Sequence, residues 1–261
     1  MIVKYKKRIL LMAIMLLTVL LISMMITSCQ KDEEKTDVSQ SGLFKTEATI
    51  PVSYMIEGVP VIKQGGELSA ACETYACTML LQSLGIDMNE YEFVNSYLNV
   101  QPIYGYSEDD WYGPDLDSAY AGDVEWGYGI NSPGMAKCMN NMLGDKGSEM
   151  TATSLKGVEL DELCKDYIIN DIPVMVWATT NMEEPYIKRY WTINYVDEEV
   201  SDAQIGDTEQ WMQNEHCMVL IGYDESNYYF ADSVAGEVSV FDKETSRDKY
   251  EKLGLQAIVV K

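Results

Sequence analysis

Residues 64–85 read QGGELSAACETYACTMLLQSLG, a glutamine on a glycine-bearing loop followed eight positions later by a cysteine that opens a helix. From Cys72 onward, Tyr75, Ala76, Met79, Leu80 and Leu84 recur at steps of three and four, one apolar stripe of an amphipathic helix. Gly85 supplies the left-handed stop. At a helix N-terminus the unpaired N–H groups and the positive dipole end favour thiolate over thiol. That is a common way to activate a sulfur nucleophile. A free cysteine is also a small apolar residue suited to burial. This stretch alone leaves both readings open for Cys72.

Outward from it, the composition narrows the class. The chain has 261 residues, 42 of them acidic and 19 basic, for a net charge of −23. The excess of negative charge argues against a nucleic-acid partner, whose backbone it would repel. At the N-terminus Lys4, Lys6, Lys7 and Arg8 precede an unbroken apolar run from Ile9 to Ile26, then Thr27, Ser28 and Cys29. A basic region followed by an apolar one is an export signal. The ending ITSC resembles a bacterial lipobox, which makes residues 1–28 a signal peptide and Cys29 the lipidated first residue of the mature chain. An uncleaved membrane anchor is the alternative, since the apolar run is long enough to span a bilayer. Either way the remainder faces outside the cytoplasm, held at a cell membrane. Residues 29–46, polar and without periodicity, read as a lipid-anchored tether. Residues 47–261 form the domain.

Setting aside Cys29 and Cys72, four cysteines remain: Cys77, Cys138, Cys164 and Cys217. Four can pair in three ways, which spacing does not distinguish, and each also sits in an apolar pattern that suits an unpaired core residue. One histidine and no closely spaced cysteine pair argue against a zinc site, and nothing calls for a cofactor.

Along the domain, periodicity predicts a second helix at 90–98 after Asn89. An aromatic, glycine-rich segment at 99–131, read as a loop forming a cleft wall, follows. A helix from 132 to 143 is capped by Ser132 with Pro133 behind it and ends at Gly144, and another helix spans 159–170. Strands follow at 174–178, 190–194, 216–223, 228–232, 238–241 and 257–260, with a charged helix at 243–252 between the last two. Helices first and an antiparallel sheet afterwards make the fold class α+β.

His216, the only histidine, heads the strand HCMVLIGYD, and the chain returns as YYFAD to Asp232. A hairpin centred near Asp224 sets His216 opposite Asp232 on one face, where the carboxylate can fix the imidazole. Cys72, His216 and Asp232 then follow the logic of nucleophile, base and orienter. Gln64 can offer its amide, with the Cys72 N–H, to a developing oxyanion.

The segments PVIKQ…SAACETYACTMLLQSLG, SPGMAKCMNNML, HCMVLIGYDESNYYFADS…GEVSVF and GLQAIVV resemble the peptidase family thirty-nine-like domain over about residues 51–261. That is a branch of the papain-like cysteine peptidases related to bacteriocin-processing double-glycine peptidases. The resemblance implies a papain-like fold with N-terminal helices packed on an antiparallel sheet, and a thioacyl-enzyme hydrolase acting on a peptide or protein substrate. Residue by residue it implies Gln64 as oxyanion donor, Cys72 as nucleophile, His216 as base and Asp232 as orienter. Two positions depart from the pattern: Ala71 stands where glycine often precedes the cysteine, and Ser233 stands where proline usually follows the aspartate. The rival expectations are a non-catalytic lipoprotein of the same fold that binds peptides or envelope components, and a transferase that passes the acyl group to an amine. A bacteriocin exporter is disfavoured, because the chain shows neither multiple spans nor a P-loop.

Overall fold

The computed structural model describes residues 50–107 and 110–261. The expected signal segment, Cys29 and the tether lie outside them. In chain order the elements are β1 (Tyr54–Met55), α1 (Cys72–Ser83), α2 (Glu90–Ser96), β2 (Val100–Gln101), β3 (Tyr104–Ser107), β4 (Asp110–Pro114), β5 (Tyr120–Ala121) and α3 (Ser132–Asp145). There follow β6 (Ala152–Lys156), α4 (Leu160–Asp166), β7 (Val174–Thr179), β8 (Tyr186–Tyr195), β9 (Thr208–Gln213), β10 (Glu215–Tyr223), β11 (Asn227–Asp232), β12 (Glu237–Asp242), α5 (Lys243–Lys252) and β13 (Gln256–Val260).

The main sheet runs β12-β11-β10-β7-β13-β6, with β1 added on β10, and its pairings are antiparallel. Successive side chains alternate between its faces. Met175, Trp177, Cys217, Val219 and Ile221 pack with α1 and α3, whereas Val174, Val176, Ala178, Met218 and Leu220 pack with α4 and α5. A sheet covered on both faces explains why β10 reads as an almost continuous apolar run rather than an alternating one. The α+β arrangement of helices on an antiparallel sheet follows from this layering.

The structure corrects the reading in four places. First, α1 is not amphipathic: every residue from Cys72 to Leu81 is buried, Glu73, Thr74 and Thr78 included. Its polar side faces protein, so sequence periodicity understates its burial. Second, among the described residues the aromatic segment carries four short strands rather than being loop throughout. β3 and β4 join β8 and β9 in a separate four-stranded sheet, order β3-β4-β8-β9, and β2 pairs with β5. The indole and phenol rings of Trp111, Tyr128, Trp191 and Trp211 close a small core there, which interspersed glycines and acids conceal. Third, Ser132 is the first helical residue of α3 and Asn131 precedes it as the cap, because the Ser132 hydroxyl is engaged with Ser154 Oγ at 2.8 Å. That helix also passes through Gly144 and ends at Asp145, before Gly147 turns left-handed at φ 68°. Fourth, β6 and β9 carry no strong alternation and are found only in the structure; their ladders to β13 and β8 form them.

Cys77, Cys138, Cys164, Cys217 and Cys72 are all buried free thiols. Among the described residues no helix is long and apolar enough to cross a membrane.

Candidate active site

The helix α1 begins at Cys72 after Ala71, whose φ of −102° and ψ of 46° need no glycine. The alanine therefore fits where the family pattern favours glycine. Cys72 is 7% exposed. Its thiol donates to Glu73 Oε2 at 3.4 Å, and the Cys217 N–H is directed at its sulfur. Among the described residues Cys72 makes no hydrogen bond to His216. Burial pushes the thiol well above its ordinary range, and the carboxylates of Glu73 and Glu215 push the same way against the Cys217 N–H. The thiolate preference expected from the helix terminus is thus outweighed at rest.

His216 and Asp232 are both buried, and His216 Nε2 lies 2.8 Å from Asp232 Oδ1. Their register differs from the one read from the hairpin. Val219 pairs with Ala231, and a bulge falls between Leu220 and Gly222. Continuing that ladder places Asp232 beside Met218, two residues from His216. An offset of two preserves the side-chain parity, so the pair still shares a face and meets diagonally. Burial alone would raise the Asp232 carboxyl, but hydrogen bonds from His216, Ser239 Oγ and the Ala235 N–H, with the imidazole's charge, lower it to about 2.

Gln64 reaches the same place from the loop before α1. Its Nε2 donates to the Ser69 carbonyl at 2.8 Å, and its Oε1 accepts from Ser233 Oγ at 2.8 Å. The neighbouring Lys63 Nζ donates to the carbonyls of Val234 and Ala235, which pins the turn after Asp232 to this loop.

Gln64, Cys72 and His216 line one cavity of ≈ 170 Å³, together with Gly127, Tyr128, Gly129, Trp211 and Glu215. Asp232 stands behind the imidazole. Residues 127–129, from the aromatic segment, do form part of the cleft wall. Sequence reasoning missed Glu73 and Glu215 and marked Ser233 only as a departure from the family pattern, not as a partner of Gln64. The signal for the two acids was their position, one directly after Cys72 and the other directly before His216. Cys72, Glu73 and Glu215 each bring a potential ligand atom within 4.8 Å of the others, so these residues could hold a metal ion. The arrangement also gathers a thiol, an imidazole bonded to a carboxylate, and a side-chain amide around one space, groups that can serve as nucleophile, base with orienter, and oxyanion donor.

A sequence model described as the Peptidase_C39 like family matches residues 56–258. Among solved structures, one described as a C39-like peptidase from Bacillus anthracis superimposes with a TM-score of 0.63 at 21% identity, covering 80% of this chain and 97% of that one. The peptidase domain of Streptococcus ComA, a bifunctional ABC transporter involved in quorum sensing, gives a TM-score of 0.43 at 13% identity over 78% of this chain and 98% of that one. No curated protein sequence matches the chain.

Proposed function

The chain belongs to the Peptidase C39-like family, and from that membership we propose that it is a cysteine hydrolase cutting a peptide or amide bond through Cys72, His216 and Asp232. The observation that carries the reading is the shared cavity of Gln64, Cys72 and His216 with Asp232 fixed on the far ring nitrogen. Because Nε2 is turned to the carboxylate, it carries the proton that the carboxylate accepts, and Nδ1 is left as the base. Cys72 sulfur attacks the carbonyl carbon while His216 takes the thiol proton, and the carbonyl oxygen becomes an oxyanion facing the Gln64 amide. Collapse expels the amine, which receives the proton from His216 and leaves a thioester on Cys72. Water then attacks the thioester with His216 again as base, releasing the acid and restoring the thiol.

The test is cleavage of a peptide library by the full-length protein, its Cys72→Ala and His216→Ala variants, and mass spectrometry of the acyl-enzyme. Cleavage lost in both variants supports the reading. A folded protein that cuts nothing and never labels at Cys72 overturns it. A second reading, a domain that binds peptides without cutting, draws on the raised Cys72 thiol. Binding of an uncut peptide is the result that would favour it. Transfer to an amine rather than water would show as an amide product.

We place the protein outside the cytoplasm, lipid-anchored at Cys29. Support comes from the basic, apolar and ITSC pattern of residues 4–29. Metabolic labelling with a fatty acid, lost in Cys29→Ala, tests it.

A further inference from the structure

We infer that the cleft receives a peptide by its free amino terminus, with Glu215 binding the α-ammonium of the residue whose carbonyl faces Cys72. The inference rests on the hydrolase reading for its consequence, release of N-terminal residues, but the binding claim stands on its own geometry.

One oxygen each of Glu73 and Glu215 and the sulfur of Cys72 lie within 4.8 Å of one another. Glu73 is satisfied: Oε1 accepts from the Ile130 N–H at 2.9 Å and Oε2 from the Cys72 thiol at 3.4 Å. Glu215 is not. Its Oε1 is buried with no partner. Among the described residues no donor reaches its other oxygen, and no lysine or arginine pairs with either acid. Burial and the neighbouring Glu73 push the Glu215 carboxyl well above its ordinary range. Without a countercharge it is therefore held toward the neutral acid, and a cation entering beside its unpartnered oxygen would favour the ionised form. Close to Glu215 stand a thiol, a second acid and the Gly129 backbone, where an added Cβ would meet Glu73 Oε1 at 2.3 Å and Glu215 Oε2 at 3.3 Å. Lys252, which lines a neighbouring cavity with Glu215, is paired with Glu184 and Asp248. The missing cation has a route in, because Glu215 lines the cavity shared by Cys72 and His216.

Reach identifies that cation. A nucleophile in attack position stands about 3 Å from the carbonyl carbon. The α-nitrogen of the same residue lies two bonds further, about 2.5 Å away. It therefore falls within about 5.5 Å of the sulfur, a reach that matches a Glu215 oxygen within 4.8 Å of that sulfur when the substrate enters from the Glu215 side. A lysine side chain at that residue carries its ammonium about 6 Å beyond the α-carbon when extended, past the carboxylate. A blocked or internal residue offers a neutral amide, which leaves the acid without countercharge. The chain's net charge of −23 attracts cationic termini over long range in the same sense.

The test is calorimetric binding of Leu-Ala-Ala amide and its N-acetylated twin to the full-length protein, to Cys72→Ala and to Glu215→Gln, with EDTA present so that no metal competes. Preference for the free amine of about tenfold or more, erased by Glu215→Gln, is expected, in line with the cost of leaving a buried charge unpaired. Equal binding of the two peptides, or a preference that Glu215→Gln leaves intact, overturns the inference. The wild-type comparison needs no variant to fold. Hydrolysis of both peptides is followed in parallel. Free-amine preference without cleavage keeps the ammonium site and removes the hydrolase; cleavage of both peptides with equal affinity does the reverse.

Discussion

Ser233 Oγ donates to Oε1 of Gln64 across 2.8 Å, and the Gln64 N–H donates to the Ser233 carbonyl at the same distance. The residue after Asp232 thus fixes the orientation of the amide proposed to face the oxyanion. With Nε2 held by the Ser69 carbonyl, only one assignment of the amide satisfies both partners. Proline, expected here from the family pattern, has no hydroxyl to offer.

Ser233→Ala frees the Gln64 carbonyl while leaving Cys72 untouched. Removal of a whole oxyanion donor costs about 10²–10³ in kcat. Loss of its orientation alone is expected to lower kcat by about tenfold on that scale, with KM and alkylation of Cys72 unchanged. Steady-state kinetics beside a thiol-labelling assay check it.

Asp232→Asn removes the charge behind His216 and is expected to lower kcat by about 10²–10⁴-fold, by analogy with other catalytic triads. The acid limb of stability moves with it. A carboxyl held at about 2 in the fold, below its ordinary 3.8, stabilises the protein above the unfolded value, and that contribution is lost as pH falls toward 2. Acid unfolding followed by circular dichroism should show Asp232→Asn losing less between pH 4 and 2 than the wild type.

Gly129→Ala asks for a left-handed alanine at φ 83° and a Cβ 2.3 Å from Glu73 Oε1. Gly147→Ala asks for the same strain at φ 68° with nothing within 4 Å. The control is expected to cost about 1 kcal/mol, and Gly129→Ala about 2 kcal/mol more. Paired thermal melts read the difference.

Glu73→Gln keeps the bond to the Ile130 N–H and removes a negative neighbour that raises the Cys72 thiol. The thiol is therefore expected to ionise at lower pH, and iodoacetamide should label Cys72 faster near neutrality than in the wild type. Glu73→Ala also strands a buried N–H, with a stability cost of about 1–3 kcal/mol. A rate–pH profile for the first and a denaturation midpoint for the second measure these.

Sequence alone determined the elements whose side chains follow a period and the residues whose chemistry is rare in the chain. The start of α1 at Cys72, the β10–β11 hairpin and the single histidine were legible because helical spacing, strand composition and turn residues are local properties. Tertiary structure decided what depends on approach from several elements. The two-residue offset between His216 and Asp232 comes from the turn register, which sets Tyr223 opposite Tyr228, and from a bulge between Leu220 and Gly222. That bulge, which no pattern marks, shifts the ladder back by one and keeps the pair on one face. The small aromatic sheet forms because β8 and β9, far along the chain, pair with one another and β8 pairs with β4. Above all, the state of Cys72 is set by burial and by Glu73 and Glu215, brought close to it by two different elements. A helix terminus favours the thiolate, but desolvation and two like charges act more strongly at this distance, and no reading of the order of residues contains that distance.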